Sequence, residues 1–513
     1  MRALALAGLA AAAISLGALA PSAPVAATTA TASLVSAGDA HSCALLTSGA
    51  VKCWGNNAFG QLGDGTQASS TTPVDTAGLS DAVAVGAGYT HTCAVTSEGA
   101  AKCWGYNLHG EIGNGSASLF VTTPSTPSGL GSGVDSVASG NGHSCALLTT
   151  GAVQCWGYNA YGQLGDGTTT DRATPVSVSG LSSGVTTIAV GRRQSCAIMS
   201  AGDVLCWGLN TAGQLGVGTQ TGPETCDGIA CSRTPVSVPG VSGAASIASG
   251  GFHTCAITSA GGAKCWGANT NGQVGDGTFD TRPSPVDVSG LTSGVAAIAM
   301  GGLHSCAIMS AGAAKCWGRD ADGELGDGAT TDSNVPIDVS GLASGVAAIG
   351  LGYNHSCALL DGGGVRCWGR NVAGQLGNGT TAGSGTPVDV AAISGSLSLD
   401  SDGDGCTDKA ETRTLHGSEE SGGRRDYLNP YDFFDTNGDK TIDLLYDIFA
   451  VAGAYGADAG GDPPGEPDGY STALDRSGPL PGGDPWDMQA PDGTIDLLND
   501  IFGASSQFGH DCS

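Results

Sequence analysis

Short apolar segments alternate with glycine-rich polar segments along most of the chain. In the first unit, His41–Leu46 and Ala50–Trp54 are apolar segments of strand length separated by a tight turn. A long glycine-rich loop follows at 55–65. Thr-Pro-Val and Ile-Ala-x-Gly segments complete the unit, as at 174–176 and 188–191 in a later copy. The pattern predicts about four short strands per unit.

The unit occurs seven times, and each copy has two cysteines ten residues apart, the second followed by Trp-Gly. The pairs are Cys43/Cys53, Cys93/Cys103, Cys145/Cys155, Cys196/Cys206, Cys255/Cys265, Cys306/Cys316 and Cys357/Cys367. A spacing of about 50 residues between copies is typical of propellers and solenoids, and four strands per copy match one propeller blade.

The repeated motif resembles a known family. Gly-x-x-His-Ser-Cys-Ala-Leu, followed by Cys-Trp-Gly-x-Asn-x-x-Gly-Gln-Leu-Gly-x-Gly, resembles the RCC1 repeat (regulator of chromosome condensation) and recurs over 34–393. The resemblance implies a mostly β chain with a seven-bladed β-propeller at 33–393. The cysteine pairs depart from the eukaryotic pattern and suit an exported bacterial version.

The cysteine spacing predicts disulfide bonds. A hairpin centred on Ser48 places Cys43 opposite Cys53, within disulfide range of an antiparallel pair, and fourteen buried free thiols are the alternative. An insertion in the fourth unit contains Cys226 and Cys231, which predicts a small looped disulfide on a protruding loop. Cys406 and Cys512 remain and are expected to pair with each other.

Ring closure is predicted from the ends of the array. The chain enters at Leu34 without a preceding Thr-Pro-Val strand, and it leaves through such a strand at 386–390. We therefore expect these two segments to share one blade and so remove the exposed edges.

A histidine precedes the first cysteine by two residues in six units, and Gln194 replaces it in the fourth. These histidines are His41, His91, His143, His253, His304 and His355. Copies of one residue in successive blades lie too far apart to converge on one metal ion. We expect their ring nitrogens to be hydrogen-bonded inside each blade, and the tryptophans to form blade core.

The N-terminus predicts export. Arg2 and an apolar run to Ala20 are typical of a signal peptide, which we place at 1–27, with a membrane anchor as the alternative. Eighteen cysteines suit an oxidising destination. A net charge of −28 disfavours nucleic-acid binding. No later segment is apolar enough to span a membrane, and we expect a secreted monomer.

Acidic residues concentrate in 396–513, where we predict a small module of calcium loops and helices. Residues 400–411 match the EF-hand ligand pattern, with glycine at position 6. The expected ligands are Asp400, Asp402, Asp404, Cys406 through its carbonyl, Asp408 and Glu411.

A second calcium loop resembles a type I dockerin loop. Its expected ligands are Asp435, Asn437, Asp439, Thr441 and Asp443. Lys440 replaces the usual glycine and Tyr446 stands at the twelfth ligand position, so the loop departs from the dockerin pattern. A related segment has Met488 and Ala490 at the first two ligand positions, which makes calcium there a poor expectation.

The chain contains no phosphate-binding loop, nucleophile elbow or His-Glu-x-x-His zinc motif, so we expect no enzyme. The favoured function is a secreted, non-catalytic binding protein for an extracellular protein or glycan, with a calcium-stabilised tail. One alternative is an assembly component that docks through the dockerin-like tail. Others are a polysaccharide-acting enzyme and, by family resemblance alone, a guanine-nucleotide exchange factor.

Overall fold

The computed structural model describes residues 30–393, which form twenty-nine β-strands in seven sheets and contain no helix. The predicted mostly β propeller of seven blades, with four core strands per blade, is confirmed. The predicted signal peptide at 1–27 and calcium module at 396–513 lie outside the described residues.

Each blade comes from one repeat, and its strands are antiparallel. They are adjacent in chain order except in blade four, where an inserted strand lies at the outer edge beyond the fourth core strand. Blades one and two contain β1 Ala32–Ala37, β2 His41–Leu46, β3 Val51–Gly55, β4 Ser70–Asp75, β5 Ala82–Ala87, β6 His91–Thr96, β7 Ala101–Tyr106 and β8 Phe120–Ser125. Blades three and four contain β9 Val134–Ser139, β10 His143–Leu148, β11 Val153–Gly157, β12 Arg172–Ser177, β13 Val185–Val190, β14 Gln194–Met199, β15 Val204–Leu209, β16 Glu224–Cys226 and β17 Ile229–Ser237.

The remaining three blades follow the same plan. Blade five contains β18 Ala244–Ser249, β19 His253–Thr258, β20 Ala263–Gly267 and β21 Arg282–Asp287. Blades six and seven contain β22 Val295–Met300, β23 His304–Met309, β24 Ala314–Gly318, β25 Ser333–Asp338, β26 Val346–Leu351, β27 His355–Leu360, β28 Val365–Gly369 and β29 Ser384–Asp389.

The second strand of a blade is buried along its length rather than on alternate residues. All six residues of β2 are buried, because neighbouring blades cover both faces of the sheet. The fourth strand lies at the outer edge and is more exposed, as in β12. Pro175 is tolerated there because an edge strand leaves some N–H groups without a ladder partner.

The predicted disulfides within the described range all form. In blade one, Cys43 pairs with Cys53 in register, with Cα atoms 4.0 Å apart. The other six cross-strand pairs repeat this arrangement, and Cys226 bonds to Cys231. Each short loop closed in this way stabilises its hairpin by about 2–3 kcal/mol in the chain-entropy model.

The expected closure through a shared blade is wrong. The strand at Ser384–Asp389 completes blade seven, while blade one has its own fourth strand at Ser70–Asp75. The two blades meet face to face, where Trp54 is fully buried and donates from Nε1 to the Gln375 carbonyl at 2.9 Å. Closure therefore uses the same interface as every other pair of neighbouring blades.

The histidines also differ from the expectation, because they bond between blades rather than inside one. His304 Nε2 lies 2.9 Å from Ser356 Oγ of the next blade, and that hydroxyl donates to the Glu324 carbonyl. A hydroxyl has one proton, so the imidazole Nε2 must be the donor. His41, His91, His143, His253 and His355 make the corresponding bonds.

Within residues 30–393 the structure has no helix that is long and apolar enough to cross a membrane.

Candidate functional site at the channel mouth

A cavity of about 190 Å³ opens on the propeller axis. The last residues of the seven first strands line it, together with the glycine after each strand. Loops that join first to second strands, and third to fourth strands, emerge on this side of every antiparallel blade. We call this side the channel-mouth face.

The glycines around the cavity allow the first strands to approach closely. A Cβ atom at Gly88 would lie 2.7 Å from the carbonyl oxygen of Gly140, and one at Gly301 would lie 2.6 Å from that of Gly352. A side chain at either position would force the backbones apart. The residue after the glycine varies between blades, and the seven are Asp39, Tyr89, Asn141, Arg192, Gly251, Gly302 and Tyr353.

Aromatic side chains from three other blades converge on Arg192 over the cavity. The guanidinium carbon lies 5.2 Å from the ring centroid of Phe252, 5.9 Å from Tyr89 and 6.0 Å from Tyr353. The rings of Tyr89 and Tyr353 also meet edge to face, with centroids 5.6 Å apart. Cation–π attraction therefore holds Arg192 in an aromatic cluster at the axis.

Several buried donor atoms at the cavity have no hydrogen-bond partner within residues 30–393. They are Tyr89 Oη, Ser139 Oγ, Arg192 Nε and Ser249 Oγ. Hydroxyl and guanidinium groups can donate to oxygen atoms of a ligand. The arrangement therefore suits a ligand rich in oxygen acceptors.

Asp39 places a carboxyl group at the rim of the same site. Burial raises its pKa, and the positive charges of Arg192 and Arg370 oppose that rise. Burial likewise raises the pKa of Tyr89 well above its usual range, so the phenol keeps its proton and remains a donor. The mouth therefore presents a cation, an acid and neutral hydroxyl groups within one small area.

A second group of aromatic side chains extends outward from the mouth over blades two to four. Arg193 donates to Tyr161 Oη at 2.6 Å, and its guanidinium carbon lies 4.6 Å from that ring centroid. Tyr158 packs between Tyr161 and His109, with centroids 6.1 Å and 4.7 Å away. His109, Tyr158 and Tyr161 lie in loops that join third and fourth strands, and Arg193 lies in a loop that joins first and second strands. The whole group therefore lies on the channel-mouth face.

Exposed apolar residues and an inserted hairpin add to this face. Leu108, Leu119, Phe279 and Val372 are each about half exposed or more, and all lie in loops between third and fourth strands. The hairpin of β16 and β17 extends from the corresponding loop of blade four, closed by its disulfide. The predicted protruding loop is therefore a stapled two-stranded extension beside the same face.

The sequence-predicted ligands at 400–411 and 435–443 lie outside the described residues, so their geometry is not part of this site. Conversely, sequence reasoning missed Arg192 and its aromatic neighbours. The available signal was position within the repeat, because Arg192 and its aromatic neighbours each lie one or two residues after the glycine that follows a first strand. Within residues 30–393, no three His, Cys, Asp or Glu side chains converge as a metal-binding group.

Comparisons with known proteins agree on one family. A family model described as "RCC1-like domain" matches residues 17–294, and models of the "Regulator of chromosome condensation (RCC1) repeat" match 295–324, 315–359 and 346–375. The ultraviolet-B receptor UVR8 of Arabidopsis thaliana is 30% identical over 368 residues, which cover 70% of this chain and 82% of that protein.

Other relatives match over shorter lengths. The mitochondrial RCC1 domain-containing protein RUG3 of Arabidopsis thaliana is 33% identical over 261 residues, 50% of this chain and 58% of that protein. Among solved structures, yeast RCC1 (Prp20) bound to Kap60 superposes with a TM-score of 0.59 at 22% identity. That match covers 68% of this chain and 84% of the yeast chain, and it supports the fold alone.

Proposed function

Because the chain belongs to the RCC1 repeat family, we propose that it is a secreted, non-catalytic binding protein that recognises an extracellular protein or glycan through its channel-mouth face. The propeller serves as a rigid scaffold, and recognition depends on the loops at one end of it. Fold alone does not define a ligand in such scaffolds, so the argument depends on the residues at the mouth.

The observation that carries this proposal is the convergence of Arg192 with Tyr89, Phe252 and Tyr353 beside buried, unpartnered donors. Elsewhere the repeats use nearly the same residue in every blade, as in the seven tryptophans that are fully buried. At the mouth the residues differ, so the face is chemically asymmetric. Arginine and aromatic residues held in a concave site are typical of binding hot spots.

Secretion is supported by the apolar N-terminal segment and by the disulfides. Seven cross-strand disulfides and the Cys226–Cys231 bond would not persist in a reducing cytosol. An extracellular location brings surface proteins and glycans within reach. It also separates the chain from the nuclear and cytosolic partners that a nucleotide-exchange role would need.

The C-terminal segment is the calcium-binding part of this proposal. Five carboxylates within 400–411 and a glycine at the sixth loop position provide the spacing that an EF-hand loop requires. A role as a cohesin-docking module is less well supported, because Lys440 and Tyr446 depart from the dockerin pattern.

Replacing Arg192 with alanine is expected to weaken ligand binding at least ten-fold, because central arginines contribute about 2 kcal/mol or more in binding hot spots. A printed glycan array and an array of surface and secreted proteins would identify the ligand. Titration calorimetry would then compare the dissociation constants of the wild type and Arg192→Ala.

Lys264→Ala is the matched control, since Lys264 pairs with Asp287 at 2.7 Å on the flank of blade five. We expect it to bind as tightly as the wild type. A ligand whose affinity falls in Lys264→Ala but is unchanged in Arg192→Ala would refute recognition through the channel mouth.

Calcium binding by the tail is tested on the full chain. Glu411→Gln, which removes the expected bidentate ligand, should lower the number of bound calcium ions by one and weaken calcium-induced helix formation. Calorimetry and circular dichroism would measure both quantities. Equal calcium binding by the wild type and by a double variant with Glu411→Gln and Asp400→Asn would contradict an EF-hand-like loop at 400–411.

A further inference from the structure

The loop between third and fourth strands contains a buried asparagine in six of the seven blades. Asn57 represents them, and its Nδ2 donates to Asp64 Oδ1 at 3.1 Å and to the carbonyls of Thr66 and Ala68 at 3.2 and 3.1 Å. Its counterparts are Asn107, Asn159, Asn210, Asn269 and Asn371. The amide nitrogen is thus surrounded by oxygen acceptors in this type of loop.

Blade six keeps the loop frame but replaces the asparagine with Asp320. Asp320 Oδ1 accepts from the Leu325 N–H at 2.9 Å, as Asn57 Oδ1 accepts from Leu62 at 2.9 Å. Asp327 Oδ1 accepts from the Ala329 N–H at 2.8 Å, as Asp64 does from Thr66 at 2.9 Å. Both anchor points of the loop are therefore preserved.

The substitution replaces the asparagine NH₂ group, a hydrogen-bond donor, with a carboxylate oxygen, which is an acceptor. Asp320 is fully buried, and its Oδ2 has no hydrogen-bond partner in the described part of the chain. By analogy with Asn57, Oδ2 takes the place of an NH₂ group that would donate to residue 327 and to the carbonyls of 329 and 331. An oxygen among oxygen acceptors needs a cation or a proton between them.

The hydroxyl that occupies this region in other blades is also absent. Thr66 Oγ1 contacts both Asn57 Nδ2 and Asp64, at 3.3 and 2.9 Å, whereas Ala329 stands at the equivalent position in blade six. The smaller side chain leaves more room between the two carboxylates of Asp320 and Asp327.

The neighbouring charged groups pair with other residues, so none of them neutralises the Asp320 or Asp327 carboxylate. Arg319 pairs with Asp322 at 2.9 Å and with Glu324. Asp332 accepts from the Asp320 N–H through Oδ1 and from Asn271 through Oδ2. Within residues 30–393, neither Asp320 nor Asp327 makes an ion pair.

We propose that blade six binds one calcium ion through the Asp320 and Asp327 carboxylates and the carbonyl oxygens of Ala329 and Thr331. Calcium prefers oxygen ligands of this kind and accepts backbone carbonyls and water in an irregular shell. Two carboxylates balance its charge. The site lies apart from the predicted calcium loops of the tail and does not depend on the proposed function.

The burial of Asp320 agrees with a bound cation, because a carboxylate is costly to bury without a neighbouring positive charge. A proton is the competing occupant, and the test is designed to separate the two.

The test uses the full chain with Asp320→Asn, which restores the residue of the other six blades and so should fold. Calcium-depleted protein would be titrated with calcium by calorimetry at pH 7.5, and thermal unfolding would be followed in calcium and in chelator. We expect Asp320→Asn to bind one calcium ion fewer than the wild type. It should also raise the melting temperature in chelator and remove the rise that calcium produces in the propeller transition.

Asp322→Asn is the matched control, because it removes one carboxylate from the same loop without removing a proposed ligand. It should retain the wild-type calcium count. Asp327→Asn should lose the same calcium ion as Asp320→Asn. An unchanged calcium count in both Asp320→Asn and Asp327→Asn would overturn the proposal.

Discussion

Lowering the pH from 7 to 4 is expected to destabilise the propeller steeply through its six buried histidines. Burial lowers the pKa of each from 6.5 to about 3, or to about 4 for His91. The hydrogen bonds of the two ring nitrogens explain why the folded state disfavours the charged imidazole. Nε2 is committed as a donor to the next blade, and Nδ1 has no partner in the part of the chain that the structure describes. A proton on Nδ1 would create a buried cation without an acceptor.

The direction of the pH effect follows from linkage. The unfolded chain takes up protons on these histidines below about pH 6.5, whereas the folded chain does so only near pH 3 to 4. The stability contributed by the neutral histidines is therefore fully present above pH 6.5 and is lost as the pH falls towards 3. The free energy of unfolding should decrease with falling pH throughout this window.

Buried carboxyl groups act in the opposite direction, Glu111 and Glu324 most strongly. Burial raises the pKa of Glu111 and Glu324 to about 7, so they bind protons in the folded state before the unfolded state does. Their protonation adds stability as the pH falls from 7 to about 4.5, near the ordinary pKa of glutamate. These carboxyl groups offset the six histidines only in part, because the histidines are more numerous and the pKa of each is lowered by about 2.5 or more.

Urea unfolding at pH 7, 6, 5 and 4 would measure this dependence. His304→Gln copies Gln194, which already donates to the Gly250 carbonyl at 3.1 Å in blade four. This variant should unfold with a shallower pH dependence, by about one proton. A free energy of unfolding that is constant between pH 6 and pH 4 would contradict the role of the histidines.

Replacing Trp54 with alanine is expected to lower the free energy of unfolding by about 3–5 kcal/mol, the usual cost of deleting a large buried aromatic side chain. Trp54 is fully buried in the apolar cluster of blade seven, with Leu359, Val365 and Leu376. The variant also loses the indole hydrogen bond to Gln375. Because no strand is shared between blades one and seven, this interface alone closes the ring.

Trp266→Ala is the matched control, since Trp266 packs in the same way against blade four and donates to the Gln214 carbonyl at 3.0 Å. Both variants should lose similar stability in urea. Only Trp54→Ala should also increase hydrogen exchange in the facing strands β1 and β26, because only there can the blades separate without straining a connecting segment. Unchanged protection of those strands in Trp54→Ala would show that closure depends on other contacts.

Local features of the fold were predictable because neighbours in space are also near in sequence. Cys43 and Cys53 lie in one hairpin, so their spacing alone placed them opposite each other. The fourth strand was recognisable from its Thr-Pro-Val segment. The closure prediction failed because sequence pattern places a strand without stating which sheet it joins, and the strand at Ser384–Asp389 joined its own repeat.

The channel mouth could not be predicted in the same way. Tyr89, Arg192, Phe252 and Tyr353 come from four different repeats and meet only because the ring brings first strands to a common axis. Each is one variable residue in a loop when the repeats are aligned. Asp320 is a similar case, because the sequence shows only a change from asparagine, and the acceptor atoms that surround the asparagine amide in other blades are evident only from the folded loop.

The sequence by itself determined the number of blades, the strands within each blade and the cysteine pairs, because these depend on short-range periodicity repeated seven times. Tertiary structure alone decided the partner of each histidine, the closure of the ring and the convergence of side chains at the axis. These depend on how one blade packs against the next, and hydrophobic burial between blades selects that arrangement over distances of about 50 residues or more along the chain.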